Sequence, residues 1–153
     1  MPLTKVKPIT ILMADDDEDD RLLTQDALTE SRVLNELHFV EDGVELLEYL
    51  ERKGKFEQKD TSPRPGLILL DLNMPRMDGR EALQAIKANP CLKGIPVVIL
   101  TTSKQEEDMV KGYDLGAASY ITKPVTFDGL VELMKALGKY WVEFVELPNT
   151  YND

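Results

Sequence analysis

The chain has 153 residues, of which 42% are hydrophobic and 30% charged, a composition typical of one folded domain and not of a disordered chain. Asp and Glu number 28 against 18 Lys and Arg, and the net charge of −10 argues against nucleic-acid binding, which requires clustered basic residues. With a single cysteine, no apolar run near the roughly 18 residues of a membrane span and no apolar stretch of a secretory signal, we expect a cytoplasmic domain without membrane contacts.

Apolar runs of strand length alternate with amphipathic stretches of helix length along the chain. Five runs predict strands, at residues 9–14, 37–40, 67–70, 97–100 and 117–121. A helical pattern of apolar residues follows each run, most regularly at Leu130, Leu133, Met134, Leu137 and Trp141. This alternation predicts an α/β domain in which right-handed crossovers place parallel strands side by side, with helices on both faces of the sheet.

The chain offers no boundary between two domains. The one long connection, residues 53–66, is polar and contains Pro63 and Pro65, so it is predicted to be a surface loop. After the last predicted helix, residues 142–153 begin apolar and turn polar after Pro148. We therefore predict a single domain over residues 1–153, with a core at about 9–141 and a C-terminal extension at 142–153.

Polar and charged residues follow four of the five predicted strands. They are, in chain order, Asp15, Asp16, Asp71, Thr101, Thr102 and Lys123. Because the carboxyl ends of parallel strands meet at one edge of the sheet, we expect these side chains to converge there. Carboxylates that lie so close repel one another, which raises the pKa of at least one of them unless a cation intervenes.

The chemistry of these residues suits phosphoryl capture. Oxygen ligands suit Mg²⁺, which pairs with phosphate oxygens, and Lys123 together with the ion would neutralise a phosphoryl group. Asp71 then fits the role of an in-line nucleophile toward phosphorus, with an acyl phosphate as product. Nearby residues supply no nucleophilic cysteine, no histidine base and no glycine-rich phosphate loop, which argues against nucleotide hydrolysis.

Each of these residues also has an ordinary structural interpretation. An acidic run is more often a solvated helix start, and we keep that interpretation for Asp17, Glu18, Asp19 and Asp20. A strand-end aspartate often forms a turn, and threonine is a common strand residue. The coincidence of such residues at four strand ends favours a site.

Four segments carry a resemblance to a known family. They are ILMADD at 11–16, LILLDLNMPRMDG at 67–79, PVVILTT at 96–102 and YITKP at 120–124. In this order and spacing, the chain over about residues 10–141 resembles the receiver domain of two-component response regulators, which are CheY-like. The resemblance implies a flavodoxin-like, doubly wound (βα)5 fold, a three-layer sandwich whose five parallel strands have the order 2-1-3-4-5.

The resemblance implies a phosphoryl acceptor and a metal site. The family's phospho-accepting aspartate falls on Asp71. Its acidic metal ligands fall on Asp15 and Asp16, and the residue that offers a backbone carbonyl to the metal falls on Asn73. The implied cofactor is Mg²⁺, with Mn²⁺ as a substitute, held by these residues together with Asp71.

The same resemblance implies a switch. The family's switch hydroxyl falls on Thr101 and its switch aromatic on Tyr120. Thr102 and Lys123 fall on positions that contact the phosphate. The peptide bond between Lys123 and Pro124 is expected to be cis, as it usually is in the family.

A narrower resemblance concerns the partner. The segments at 82–103 and 113–124, the long loop and FVELPN at 144–149 look like the single-domain regulators paired with bacterial phytochromes. This implies a phosphorylation-controlled module that accepts a phosphoryl group from a sensor histidine kinase, a bacteriophytochrome by this resemblance, and signals to an unidentified target protein. It would promote only its own phosphorylation and dephosphorylation, and we do not expect an enzyme in the metabolic sense.

Two other functions remain open. A Mg²⁺-dependent phosphatase would also use an aspartyl nucleophile, but such enzymes resemble Asp-x-Asp at that point, where this chain has Asn73. A degenerate receiver that acts only as a scaffold would have lost site residues, and none is lost.

Apolar residues continue beyond Leu137. They are Tyr140, Trp141, Phe144, Val145 and Leu147. Monomers rarely expose a patch of this kind, and aromatic residues are enriched in interfaces. We therefore predict a homodimer contacted through this tail, and the alternative is that the tail packs against its own domain.

Overall fold

The computed structural model describes residues 9–32, 35–58 and 61–139. Its strands are β1 Ile11–Ala14, β2 Leu37–Val40, β3 Leu67–Asp71, β4 Val97–Thr101 and β5 Ser119–Thr122. Its α-helices are α1 Glu18–Glu30, α2 Gly43–Glu51, α3 Gly79–Ala88, α4 Lys104–Lys111 and α5 Phe127–Gly138. Within this part of the chain, no helix combines the length and the apolar character needed to cross a membrane.

The five strands form one parallel sheet in the order β2-β1-β3-β4-β5, which confirms the predicted topology. The register pairs Ala14 with Leu70 and Asp71 with Leu100, so that β1, β3 and β4 end close to the same level. Residues that follow these strands therefore meet at one edge of the sheet. This edge is the carboxyl edge, where ligands bind in open α/β sheets.

Apolar side chains cover both faces of the sheet, because successive strand residues point in opposite directions. In β1, Leu12 packs in the layer that holds α2, α3 and α4, whereas Ile11 packs in the layer that holds α1 and α5. Burial on both faces explains why β1, β3 and β4 read as nearly continuous apolar runs.

Each α-helix begins at a residue whose side chain accepts a backbone N–H of the first turn. These residues are Asp17, Asp42, Asp78, Ser103 and Thr126. Such side chains satisfy N–H groups that have no partner within the helix. The caps start α1, α2 and α4 within four residues of the strands that precede them, and so keep these connecting loops at the carboxyl edge short.

The loop predicted at residues 53–66 is more ordered than a plain surface loop. A single 3₁₀ turn occupies Gly54–Phe56, and Ser62 and Pro65 are buried. The hydroxyl of Tyr49 on α2 donates a 2.8 Å hydrogen bond to the carbonyl of Pro63. Packing against α2 therefore anchors this polar segment.

Candidate functional site

Three carboxylates meet at the carboxyl edge, as the sequence predicts. Asp15 follows β1 and is fully buried, Asp71 ends β3 and is 4% exposed, and Asp16 is exposed. One oxygen of each lies within 4.8 Å of the others. An exposed carboxylate beside two buried ones leaves room for water ligands, which fits a hard divalent cation such as Mg²⁺ or Mn²⁺.

Lys123, just after β5, connects these acids. Its Nζ donates to Oδ2 of Asp15 at 2.9 Å, of Asp20 at 3.0 Å and of Asp71 at 3.3 Å. Burial acts to lower the pKa of Lys123, but the hydrogen bond to Asp15 and the charge of Asp71 outweigh it and hold that pKa above its usual value. The site therefore contains a permanent ammonium beside its central carboxylate.

The carboxylate of Asp71 has a raised pKa. Burial raises its pKa to about 6, an effect that the charge of Lys123 opposes and the charge of Asp15 reinforces. The carboxylate is therefore largely ionised at pH 7, in the form that can attack phosphorus, although it lies in a mostly dry environment.

Asp20 also contacts this cluster, while its side chain remains 40% exposed in the first turn of α1, as its interpretation as a helix-start acid implies. Its position in the first turn of α1 directs Oδ2 to the Lys123 ammonium. Asp17 instead caps α1, since its Oδ1 accepts the N–H groups of Asp19 and Asp20. Spacing gave no signal of this contact, because Asp15 and Asp16 precede α1 and helical periodicity does not extend to them.

Thr101 reaches the same edge, but its hydroxyl is directed away from Asp71. Oγ1 lies 3.3 Å from the carbonyl of Ser103, 3.4 Å from that of Ile121 and 3.4 Å from Oγ1 of Thr122. These distances exceed the usual range for O–H···O bonds, so the hydroxyl is weakly held. Tyr120 on β5 is half-buried against the core that faces α2, α3 and α4.

Asn73 and Thr102 are joined by a residue that sequence reasoning missed, Glu106 on α4. The backbone N–H of Thr102 donates to Oε1 of Glu106 at 2.9 Å, and Nδ2 of Asn73 donates to its two oxygens at 3.2 and 3.1 Å. Burial acts to raise the pKa of Glu106, but these hydrogen bonds outweigh it and lower that pKa. Glu106 is therefore an ionised carboxylate at the mouth of the site. Its only sequence signal was the Ser-x-x-Glu spacing of a helix cap.

The loop between β3 and α3 fixes the position of Asp71. Gly79 donates its N–H to the carbonyl of Leu72 at 2.9 Å, and a Cβ at Gly79 would overlap the carbonyl oxygen of Asp71. The guanidinium of Arg76 adds a bidentate pair of hydrogen bonds to the carboxylate of Asp42, at 2.8 and 3.1 Å. The loop thus packs tightly against its neighbours, which holds the Asp71 carboxylate at the edge of the sheet.

Comparison with known proteins decides the family. The model of the response regulator receiver domain matches residues 11–135, which include all the site residues described above. The chain is a member of the response regulator receiver family.

Relatives of this receiver include response regulators that are described as phytochrome regulators. It is 43% identical to the response regulator Rcp1 of Synechocystis sp. (strain ATCC 27184 / PCC 6803 / Kazusa), over 92% of this chain and 94% of Rcp1. Among solved structures, it resembles the phosphorylated cyanobacterial phytochrome response regulator RcpA (TM-score 0.82, 40% identity, 94% of this chain and 100% of RcpA). The Mn²⁺-bound form of Rcp1 is also similar (TM-score 0.78, 42% identity, 92% of this chain and 99% of Rcp1).

One feature implied by the family resemblance is wrong for this receiver structure. No peptide bond among the described residues is cis, so the bond between Lys123 and Pro124 is trans. The trans form is intrinsically favoured by about 0.5–1 kcal/mol before proline. Lys123 contacts its three carboxylates with the bond in this form.

The residues predicted to contact a partner chain cannot be placed on the receiver surface. Tyr140, Trp141, Phe144, Val145 and Leu147 all lie outside the described residues.

Proposed function

We propose that this receiver accepts a phosphoryl group on Asp71 from a histidine kinase, in a reaction that depends on Mg²⁺. The observation that carries the proposal is the environment of Asp71. Its buried carboxylate ends β3, lies with Asp15 and Asp16 in one potential cation site, and is 3.3 Å from the Lys123 ammonium. A nucleophile, a cation site and a fixed positive charge are what phosphoryl capture requires.

In the proposed reaction, an oxygen of Asp71 forms a bond to phosphorus while the bond between phosphorus and the kinase histidine breaks. The histidine leaves as imidazole, and Asp71 becomes an acyl phosphate. Lys123 can stabilise the charge of the phosphoryl oxygens without moving far, since its ammonium is already held among the acids. A bound Mg²⁺ ion would supply further positive charge there, and Asp15, Asp16 and Asp71 are the residues that would hold it, with the carbonyl of Asn73 as the implied fourth ligand.

An exposed apolar patch beside the site offers a surface for the kinase. Leu22 and Leu23 on α1 and Val125 and Phe127 near the start of α5 are between 40% and 99% exposed. Of these, Leu23, Val125 and Phe127 line a groove whose lining also includes Lys123. Exposed apolar patches commonly mark protein-binding sites. We propose that the kinase histidine approaches here and that the kinase is a phytochrome, because some relatives are phytochrome response regulators. We also propose that this receiver acts in the cytoplasm.

Intact-mass measurement tests the acceptor. After incubation with acetyl phosphate and Mg²⁺, the wild type is expected to gain one phosphoryl group, whereas Asp71→Asn gains none. Asp19→Asn, which removes an exposed charge from α1, is the matched control and should behave as the wild type. A gain of mass in Asp71→Asn would contradict the proposal.

Phosphate release separates a receiver from a phosphatase. We expect one equivalent of phosphate per chain from the acyl phosphate, and no turnover on added phosphomonoesters. Continuous turnover on such substrates would favour the phosphatase.

We further propose that the receiver forms a homodimer through Phe144 and its neighbours and that phosphorylation tightens it. Two-fold dimers are the commonest oligomers. Sedimentation equilibrium should give a dimer for the wild type, tightened by beryllofluoride, and a weaker one for Phe144→Ala. A wild type that stays monomeric at tens of micromolar, with and without beryllofluoride, would contradict the dimer. If Phe144→Ala dimerises as strongly as the wild type, the dimer stands but the tail is not part of its interface.

A further inference from the structure

The carboxylate of Glu106 collects hydrogen-bond donors from two loops at the mouth of the site. Thr102 offers both its backbone N–H, at 2.9 Å, and its hydroxyl, at 3.3 Å. Asn73 offers its side-chain amide, at 3.2 and 3.1 Å. Glu106 is thus an anion that links the loop after β4 to the loop after β3.

Helix capping alone does not account for these contacts. At α3, the third-position glutamate Glu81 returns to the N–H of its cap residue Asp78. At α2, Glu45 accepts the N–H of Glu41, one residue before the cap, as Glu106 does from Thr102. Of these three glutamates, only Glu106 also accepts hydrogen bonds from a side-chain amide of another loop. That additional partner belongs to a residue two positions after Asp71.

The donors that hold Glu106 lie where a phosphoryl group on Asp71 needs partners. Because Asp71 pairs with Leu100 in the sheet, Thr102 lies alongside the loop that begins after Asp71. The backbone N–H of Asn73 already reaches Oδ1 of Asp71, at 3.4 Å. A phosphoryl dianion attached to this carboxylate would carry three strong acceptor oxygens into the same donor set.

We propose that Glu106 is an internal competitor of the phosphoryl group, and that its carboxylate must leave Thr102 before a phosphoryl group on Asp71 can take that N–H. This inference rests on the proposed function of Asp71. Glu106 is a positioning residue, since it acts through Thr102 and Asn73 and not on the reacting atoms. It lies in the first turn of α4, so its departure also changes how α4 is held to the site.

Two variants of α4 isolate this effect. Glu106→Gln removes the competing charge and keeps the shape of the side chain. Asp108→Asn removes one charge from the same helix at an exposed residue whose ion pair is with Lys104 and not with the site. Any general effect of lower negative charge on anion binding is therefore common to both variants.

The probe is beryllofluoride in the presence of Mg²⁺, titrated into the full chain and followed by the amide resonances of Thr101 and Thr102. The hydrogen bond of Thr102 to a charged acceptor is lost in Glu106→Gln, so we expect beryllofluoride to bind about five- to tenfold more tightly to it. Asp108→Asn should stay within about twofold of the wild type, since exposed charges are largely screened. In the absence of beryllofluoride, the Thr102 resonance should shift in Glu106→Gln and not in Asp108→Asn.

The outcomes separate this inference from the proposed function. A merely structural role for Glu106 would weaken anion binding on substitution, so unchanged or weaker binding in Glu106→Gln overturns the inference and leaves the function of Asp71 intact. Equal tightening in Asp108→Asn also overturns it, since charge alone would explain the effect. If the wild type neither binds beryllofluoride nor gains a phosphoryl group, the proposed function fails and this inference fails with it.

Discussion

The hydroxyl of Thr122 on β5 donates a 3.2 Å hydrogen bond to Oε1 of Glu107 on α4. The same hydroxyl lies 3.4 Å from Oγ1 of Thr101, and the other oxygen of Glu107 accepts from Lys104 at 2.6 Å and from Lys111 at 3.1 Å. A short chain of polar contacts therefore leads from the weakly held hydroxyl of Thr101 to α4. If that hydroxyl turns toward a phosphoryl group on Asp71, Thr122 loses a donor and the attachment of α4 changes.

The first prediction is that Thr122→Val uncouples α4 from the site. Valine keeps the shape of the side chain but removes the hydroxyl that joins Thr101 to Glu107. The variant should still gain one phosphoryl group, while the amide shift changes that beryllofluoride induces across Lys104–Lys111 fall to less than about half of the wild-type values. Thr29→Val, a change at an exposed residue of α1, is the control. Shift changes across α4 that match the wild type would show that Thr122 does not carry the coupling.

The second prediction concerns pH and Glu107. Its hydrogen bond from Lys104 outweighs burial and lowers the pKa of Glu107 from 4.5 to about 2. The folded state therefore gains stability from the ionised carboxylate above pH 4.5, and loses that gain as the pH falls toward 2. Since Lys104 and Lys111 are themselves largely exposed, we expect Glu107→Gln to cost about 1–2 kcal/mol of unfolding free energy at pH 7.

Urea denaturation at a series of pH values measures this difference. The gap between the wild type and Glu107→Gln should shrink as the pH falls below 4.5. Glu132→Gln, at an exposed residue of α5, should show little effect at any pH. A gap for Glu107→Gln that does not change with pH would mean that packing, and not the ionised carboxylate, stabilises this contact.

The third prediction is that Asp16→Asn weakens Mg²⁺ binding. Asp16 is the exposed member of the three-carboxylate group, and its loss leaves two protein carboxylates for the ion. We expect the dissociation constant to rise by roughly tenfold or more, because Mg²⁺ is bound through few protein ligands. Calorimetric titration measures it, with Asp19→Asn as a control of equal charge. Equal losses in the two variants would assign the effect to net charge.

The fourth prediction is that Gly79→Ala disturbs both stability and the site. A Cβ at this position would lie 2.9 Å from Cα of Leu72 and overlap the carbonyl oxygen of Asp71, so the end of β3 must shift. We expect a loss of about 1–3 kcal/mol in unfolding free energy and slower phosphorylation by acetyl phosphate. Gly112→Ala, where the added Cβ meets a carbonyl oxygen at 3.3 Å, is the milder control. Unchanged phosphorylation in Gly79→Ala would mean that Asp71 tolerates the shift.

Much of the fold and the centre of the site could be predicted from the sequence. Strands buried on both faces leave continuous apolar runs, which is how β1, β3 and β4 could be located, and all five predicted strands agree with the structure to within two residues at either end. The meeting of Asp15 and Asp71 followed from topology, since both come at the carboxyl ends of neighbouring parallel strands. These features depend on local composition and on general rules of connection, and both can be read along the chain.

Partner choice among side chains could not be predicted in this way. In the acidic run from Asp15 to Asp20, spacing alone could not tell which carboxylates turn inward, because that depends on where α1 begins relative to Lys123, more than 100 residues away. Glu106 has the spacing of an ordinary helix cap, and only the approach of the loop that carries Asn73 gives it a second role.

The sequence by itself determined the topology and the residue types at the carboxyl edge, because hydrophobic periodicity and strand order are local or rule-bound properties. The tertiary structure alone decided that Lys123 contacts Asp20 as well as Asp15 and Asp71, that Glu106 takes the donors of Thr102, and that the Thr101 hydroxyl lies near Thr122. Each of these depends on distances of about 3 Å, and the contacts of Lys123 and Thr101 join segments far apart in the chain. Hydrogen bonds are short-ranged and directional, so they are settled only when the packed sheet and helices bring those loops together.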